Sequence, residues 1–137
     1  MLPSLIIGAK HADARGTLLY NNDFDLSLIK RMYIIENQST QIVRAWQGHK
    51  IEQRWFSAIK GSFRIELIAV DNWDQPSKKS EKYSFILNDE NLTILHVPAG
   101  YINSIQSLDE EAKLLVMANY LLDEHQDDYR FSVDYFE

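Results

Sequence analysis

Apolar and polar residues alternate with a period of two along several short stretches of the chain. Phe63, Ile65, Leu67 and Ala69 interleave with Arg64 and Glu66, and Tyr83, Phe85 and Leu87 interleave with Lys82, Ser84 and Ile86. That period places one set of side chains on one face of an extended strand, the pattern of a half-buried strand. In Trp55-Phe56-Ser57-Ala58-Ile59 both sets are substantially apolar, which predicts a strand covered on both faces. Turn-forming clusters separate the stretches: Asn21-Asn22-Asp23, Glu36-Asn37-Gln38-Ser39, Lys60-Gly61-Ser62, residues 71–80, Asn88-Asp89-Glu90-Asn91 and Pro98-Ala99-Gly100. Short strands punctuated every ten residues or so predict an antiparallel all-β sandwich or barrel. No linker and no internal repeat interrupts the pattern, so residues 1–137 are expected to form a single domain.

Residues 107–122 fit two descriptions. Ser107-Leu108-Asp109-Glu110 has the form of a helix-capping box, and apolar residues at 108, 112, 115, 118 and 122 keep a helical spacing. The competing description is an acidic turn followed by a strand over 113–120. Propensity favours the helix and the surrounding β pattern favours the strand. Locally, both stay open.

Composition removes whole classes of function. A chain of 137 residues buries enough surface to fold without staples, and it contains no cysteine for disulfides, thiolate metal sites or thiol nucleophiles. Its 14 Lys and Arg stand against 20 Asp and Glu, a formal net charge of -6. With no basic run, nucleic acid is not an expected partner, because that binding rests on neutralising phosphates. Leu5-Ile6-Ile7 is too short for a signal peptide or a membrane span. The expectation is a soluble cytoplasmic protein with no membrane partner.

Two stretches concentrate groups capable of chemistry. Arg44-Ala45-Trp46-Gln47-Gly48-His49-Lys50 puts a guanidinium, an indole, an amide, an imidazole and an ammonium on a strand that runs into a turn. Val97-Pro98-Ala99-Gly100-Tyr101-Ile102-Asn103 contains a Pro-x-Gly turn that would return the chain beside the first stretch. No Gly-rich phosphate loop, Gly-x-Ser-x-Gly elbow or Walker pattern occurs.

Arg44 to Lys50, Lys60-Gly61-Ser62 and Pro98-x-Gly100, in that order, resemble the WxcM-like dTDP-sugar 3,4-ketoisomerases. These are cupin-type sugar-nucleotide isomerases related to the dTDP-4-dehydrorhamnose 3,5-epimerases. Asp13-Ala14-Arg15-Gly16, Ile29-Lys30-Arg31-Met32-Tyr33-Ile34-Ile35 and Asp127-Asp128-Tyr129-Arg130-Phe131 match as well, so the resemblance runs from residue 11 to 135. It implies a double-stranded β-helix, the cupin jelly roll, with a strand over 113–120, and a homodimer. It further implies proton abstraction next to the carbonyl of a dTDP-4-keto-6-deoxyhexose, with no cofactor.

The family motif Arg-Gly-x-His-x-His-Lys uses two histidines as acid and base. Here the second is His49, and the first is replaced by Gln47. A glutamine amide donates and accepts hydrogen bonds but does not titrate. The resemblance therefore assigns acid/base work to His49 and leaves Gln47 to orient substrate. It assigns oxygen contacts to Arg44 and Arg54, substrate orientation to Lys50 and Asn103, and a basic pocket to Arg44, Lys50 and Arg54. Trp46 and Tyr101, with Trp55 and Tyr33, are candidates for an apolar wall against the sugar or the thymine ring. The catalytic tyrosine of the epimerases falls at Leu115, which argues against that reaction. At the metal positions of other cupins stand Gln47, His49, Glu52 and Asn103, and two amides there imply no metal. Two other readings stand beside the isomerase: a non-catalytic nucleotide-sugar-binding cupin, or accessory protein of a polysaccharide pathway, and a purely structural jelly roll.

Overall fold

In the computed structural model, which describes residues 1–137, the alternating stretches become twelve strands. They are β1 (Ser4–Ile6), β2 (Ala9–Asp13), β3 (Gly16–Tyr20), β4 (Arg31–Ile35), β5 (Val43–His49), β6 (Arg54–Lys60), β7 (Ser62–Ala69), β8 (Lys82–Asn88), β9 (Ile94–Val97), β10 (Tyr101–Ser107), β11 (Lys113–Ala118) and β12 (Tyr129–Arg130). One sheet runs β1-β9-β6-β11-β4 and the other β12-β5-β10-β7-β8, all neighbours antiparallel. β2 and β3 form a separate hairpin. The architecture is the all-β cupin jelly roll. No helix is long and apolar enough to cross a membrane.

The core lies between the two sheets. Phe63, Ile65 and Leu67 of β7 meet Phe56 of β6, Leu95 of β9 and Leu114 and Val116 of β11, each essentially without solvent exposure. Each such side chain contributes roughly 1.5–3 kcal/mol through burial. β6, central in its sheet, is covered on both faces as its continuous apolar run requires. Gly61 turns β6 into β7 at φ 68°, a left-handed conformation that side chains with a Cβ avoid.

The ambiguous segment is a strand, β11, ending at Ala118 rather than at residue 120. Its capping residues are used in a turn: the Ser107 hydroxyl donates to the Asp109 carbonyl, and the Asp109 carboxylate accepts from the Ser62 amide and hydroxyl at 2.7 Å each. β11 is then hydrogen-bonded by β4 on one side and β6 on the other. Leu114 and Val116 face the inner core, while Leu115 and Met117 pack outward with Trp55 and Ile94. Burial on both faces is what hid the period of two.

Candidate functional site

A cavity of about 580 Å³ opens at one end of the jelly roll. Arg31 and Tyr33 from β4, Arg44, Gln47 and His49 from β5, Arg54 from β6, Asn103 from β10 and Arg130 from β12 line it. The remaining wall is the connection between β11 and β12, with His125, Asp127 and Asp128.

Arg44 and Gln47 are three residues apart, so a regular strand would send them to opposite faces. β5 carries one extra residue here: Gln47 pairs with Asn103 and Arg44 with Ile105, with Ser104 alone opposite Ala45 and Trp46. The bulge returns Arg44 to the inner face beside Gln47 and His49. Gly48 faces outward where the chains crowd. A Cβ there would lie 2.1 Å from the Tyr101 carbonyl oxygen and 2.6 Å from the Ile102 Cα.

His49 is buried, with 9% of its surface exposed, and its Nδ1–H donates to the main-chain carbonyl of Asp127 at 2.8 Å. A carbonyl only accepts, so the proton sits on Nδ1 and Nε2 keeps its lone pair. Burial first, and the neighbouring Arg54 guanidinium second, hold the His49 pKa below the usual imidazole value. They outweigh the Asp127 carbonyl and the Asp127 and Glu52 carboxylates. The imidazole is therefore neutral near pH 7.

Asp127, itself 3% exposed, fixes that arrangement. Its carboxylate accepts the main-chain N–H groups of Lys50, Ile51 and Glu52 at 2.7–3.1 Å, tying the tail to the β5–β6 turn. Gln47 Nε2–H donates to Asp128 Oδ1 at 2.8 Å, and Arg130 Nε–H donates to Asp128 Oδ2 at 3.1 Å. Burial works to raise the Asp128 pKa, but these bonds and the Arg130 charge bring it below the ordinary value.

Four guanidiniums line the cavity, and they are not equivalent. Arg54 donates to buried Glu52 at 2.9 Å, and Arg130 is paired with Asp128. Arg31 and Arg44 have no carboxylate partner: Arg44 Nε–H donates to Asn37 at 2.9 Å, and the Arg31 guanidinium lies 5.0 Å from the Tyr33 ring centre. Buried Nε atoms of Arg31 and Arg54 and the buried Nδ2 of Asn37 have no protein partner. Arg31 and Arg44 thus offer two guanidiniums without a carboxylate partner to an incoming anion, on a wall that also carries Glu36 and Asp123. Glu52 is held by Arg54, and Gln47 and Asn103 offer amides, so the donor set is poor for a transition metal.

Of the residues expected from sequence, Arg44, Gln47, His49, Arg54 and Asn103 meet in this cavity. Three do not. Trp46 turns to the outer face, where it packs with Ile68, Ile102 and Phe136, as its place next to inward-facing Gln47 on the strand requires. Lys50 is exposed beyond the strand end and meets Asp127 only through its main chain. Tyr101 packs in the inner core and donates its hydroxyl to the Met1 carbonyl at 3.0 Å. Trp55 stacks outward on His96, leaving Tyr33 as the aromatic residue on the cavity wall. Leu115, where the resemblance puts the epimerase tyrosine, also faces outward. Sequence reasoning missed Arg31, Arg130, Asp127, Asp128 and His125. The first four lie in stretches that carried the resemblance, whereas His125 had no signal.

A family model described as FdtA: WxcM-like, C-terminal matches residues 4–137. No curated protein matches the chain. Among solved structures, a histidine-to-asparagine mutant of the 3,4-ketoisomerase QdtA from Thermoanaerobacterium thermosaccharolyticum is 25% identical, in complex with TDP-4-keto-6-deoxyglucose. The match covers 99% of this chain and 94% of that one at a TM-score of 0.74. A 3,4-ketoisomerase from Helicobacter canadensis is 22% identical over 99% and 96% of the two chains, TM-score 0.74. The dTDP-4-dehydrorhamnose 3,5-epimerase of Bacillus anthracis, at 12% identity over 96% and 79% and a TM-score of 0.75, shares the fold.

Proposed function

The chain belongs to the WxcM-like, C-terminal (FdtA) family, and from that premise we propose that it is a 3,4-ketoisomerase-type enzyme acting on a dTDP-4-keto-6-deoxyhexose. The observation that carries this reading is the neutral imidazole of His49, locked by Asp127 with Nε2 free, in the wall of a cavity that also holds unpaired guanidiniums. A base for abstraction α to a ketone needs that protonation state, and a positioned base contributes on the order of 10²–10⁴ in rate.

In this mechanism Arg31 and Arg44 hold the diphosphate. His49 Nε2 takes the proton from the carbon beside the ketone, and the C–H electron pair moves into an enediolate whose negative charge rests on the former carbonyl oxygen. Hydrogen-bond donors of Arg54 and Asn103 stabilise that oxygen. The protonated His49 then returns the proton to the neighbouring carbon, while the second oxygen passes its hydroxyl proton to the former carbonyl oxygen and becomes the ketone, so the keto group moves one position. Gln47 takes no part in proton transfer. Chromatography of the nucleotide sugar before and after incubation tests this: conversion to a 3-keto product by the wild type, and none by His49→Ala, is expected. Binding without conversion would refute it.

The replacement of a motif histidine by Gln47 favours one other reading, a non-catalytic member that binds the nucleotide sugar in the service of a polysaccharide pathway. We further propose a homodimer. The β2–β3 hairpin pairs with no other strand, and Leu18 on it is 60% exposed. An isolated two-stranded hairpin has little stability of its own, and a second copy would cover it.

A further inference from the structure

The cavity contains an amide whose direction is fixed. An ionised carboxylate only accepts, so the contact between Gln47 and Asp128 at 2.8 Å must use the Gln47 NH₂ group. Arg130 braces the same carboxylate from the other side at 3.1 Å, and the register of β12 on β5 sets Arg130 directly opposite Gln47. Gln47 Oε1 accepts no hydrogen bond from the protein and is not sealed from solvent, and Gln47 lines the cavity. His49 lies two residues further along the same strand face, about 6.6 Å away at the backbone. That is roughly the span of one sugar ring.

We propose that Asp128 is a positioning residue that presents Gln47 Oε1 as a fixed acceptor, making Gln47 a specificity determinant for a ring hydroxyl of the bound sugar. The proposal rests on the sugar-nucleotide reading above and adds to it the polarity of one contact. A keto oxygen opposite Oε1 sets two acceptors against each other, whereas a hydroxyl donates to it. A site with an oriented polar group rejects an analogue that lacks the matching hydroxyl, because the protein group is left unpaired. The residue at the place of a family acid/base thus serves to recognise substrate. Its Asp–Arg support is what prevents the amide from flipping.

The test is calorimetric titration of the wild type with dTDP, with dTDP-4-keto-6-deoxyglucose, and with its 2-deoxy and 3-deoxy counterparts. At least one deoxy sugar should bind about three- to tenfold more weakly than the parent, the loss of one neutral hydrogen bond. In Asp128→Asn, whose amide can itself donate to Oε1 and release the flip, the parent-to-deoxy ratio should fall to about one. Gln47→Leu, which removes the amide, should give the same ratio and guards against misfolding of the first variant. If dTDP binds but the wild type does not discriminate, or the ratio survives in both variants, this inference is overturned and the isomerase reading stands. If neither dTDP nor the parent sugar binds the wild type, the underlying reading fails and takes the inference with it.

Discussion

Asp127 joins the tail, the β5–β6 turn and the His49 imidazole, so Asp127→Asn perturbs all three through one oxygen-for-nitrogen exchange. The native carboxylate accepts three main-chain N–H groups and is 3% exposed. The amide keeps one acceptor oxygen and turns its NH₂ group toward donors that have nowhere else to go. Hydrogen bonds to a charged group are worth about 1.5–3 kcal/mol, and a stranded buried donor costs about 1–3 kcal/mol, so a loss of about 2–4 kcal/mol is expected. Unfolding entropy of about 2.1 cal/mol/K per residue converts this, for a chain of 137 residues, to a Tm lowered by about 7–14 °C. Scanning calorimetry measures it. Turnover at 25 °C should fall at least about tenfold in the still-folded variant, because the carbonyl that fixes His49 shifts with the tail. Asp128→Asn, whose partners are exposed Arg130 and half-buried Gln47, should lower Tm by no more than about 3 °C. A drop under about 3 °C for Asp127→Asn, or equal drops for the two variants, would refute the anchoring argument.

Four further outcomes follow from the same contacts. Gln47→His places an imidazole beside the Asp128 carboxylate, in the manner of an Asp–His pair, and should raise isomerisation at least about tenfold in the chromatographic assay; no gain in a folded, ligand-binding variant counts against residue 47 facing the reacting carbons. His49 has a folded pKa below its unfolded value of 6.5, so the unfolded chain binds that proton more readily. Stability is then fully present above pH 6.5 and declines as pH falls from there toward the folded pKa, as His96 also requires. Urea unfolding at pH 7.5 and 5.5 should show this decline, and it should be smaller in His49→Gln. Replacing the buried pair by Arg54→Met with Glu52→Gln removes the larger of the two opposed fields on His49, so its pKa should rise in an NMR titration; a fall would contradict the assigned cause. Leu18→Asp should convert a dimer of twice the 16.0 kDa chain mass into a monomer by light scattering, and a wild-type monomer would rule out the proposed assembly.

The strands with one buried face, such as β7, were legible from alternation, and the Pro98–Gly100 corner does return β10 alongside β5. β11 was not legible locally, because both its faces are buried and its acidic turn imitates a cap. His49, Gln47, Arg44, Arg54 and Asn103 came from motif order, and the cavity gathers all five. Arg44 shows where spacing fails: one extra residue in β5 turns it inward beside Gln47, and no residue type signals that bulge. Asp127 and Arg130 reach the site through β12, a pairing between positions some 80 residues apart that local pattern cannot encode. His125 arrives by the same loop and carries no motif.

The central claim is that His49 removes a proton beside the carbonyl of a dTDP-4-keto-6-deoxyhexose. Proton NMR of dTDP-4-keto-6-deoxyglucose incubated with the protein in deuterated water reads it directly. Loss of the ring-proton signal next to the ketone with the wild type, and its persistence with His49→Ala, is the predicted result. An unchanged spectrum with the wild type, under conditions where calorimetry shows the sugar nucleotide bound, would contradict it.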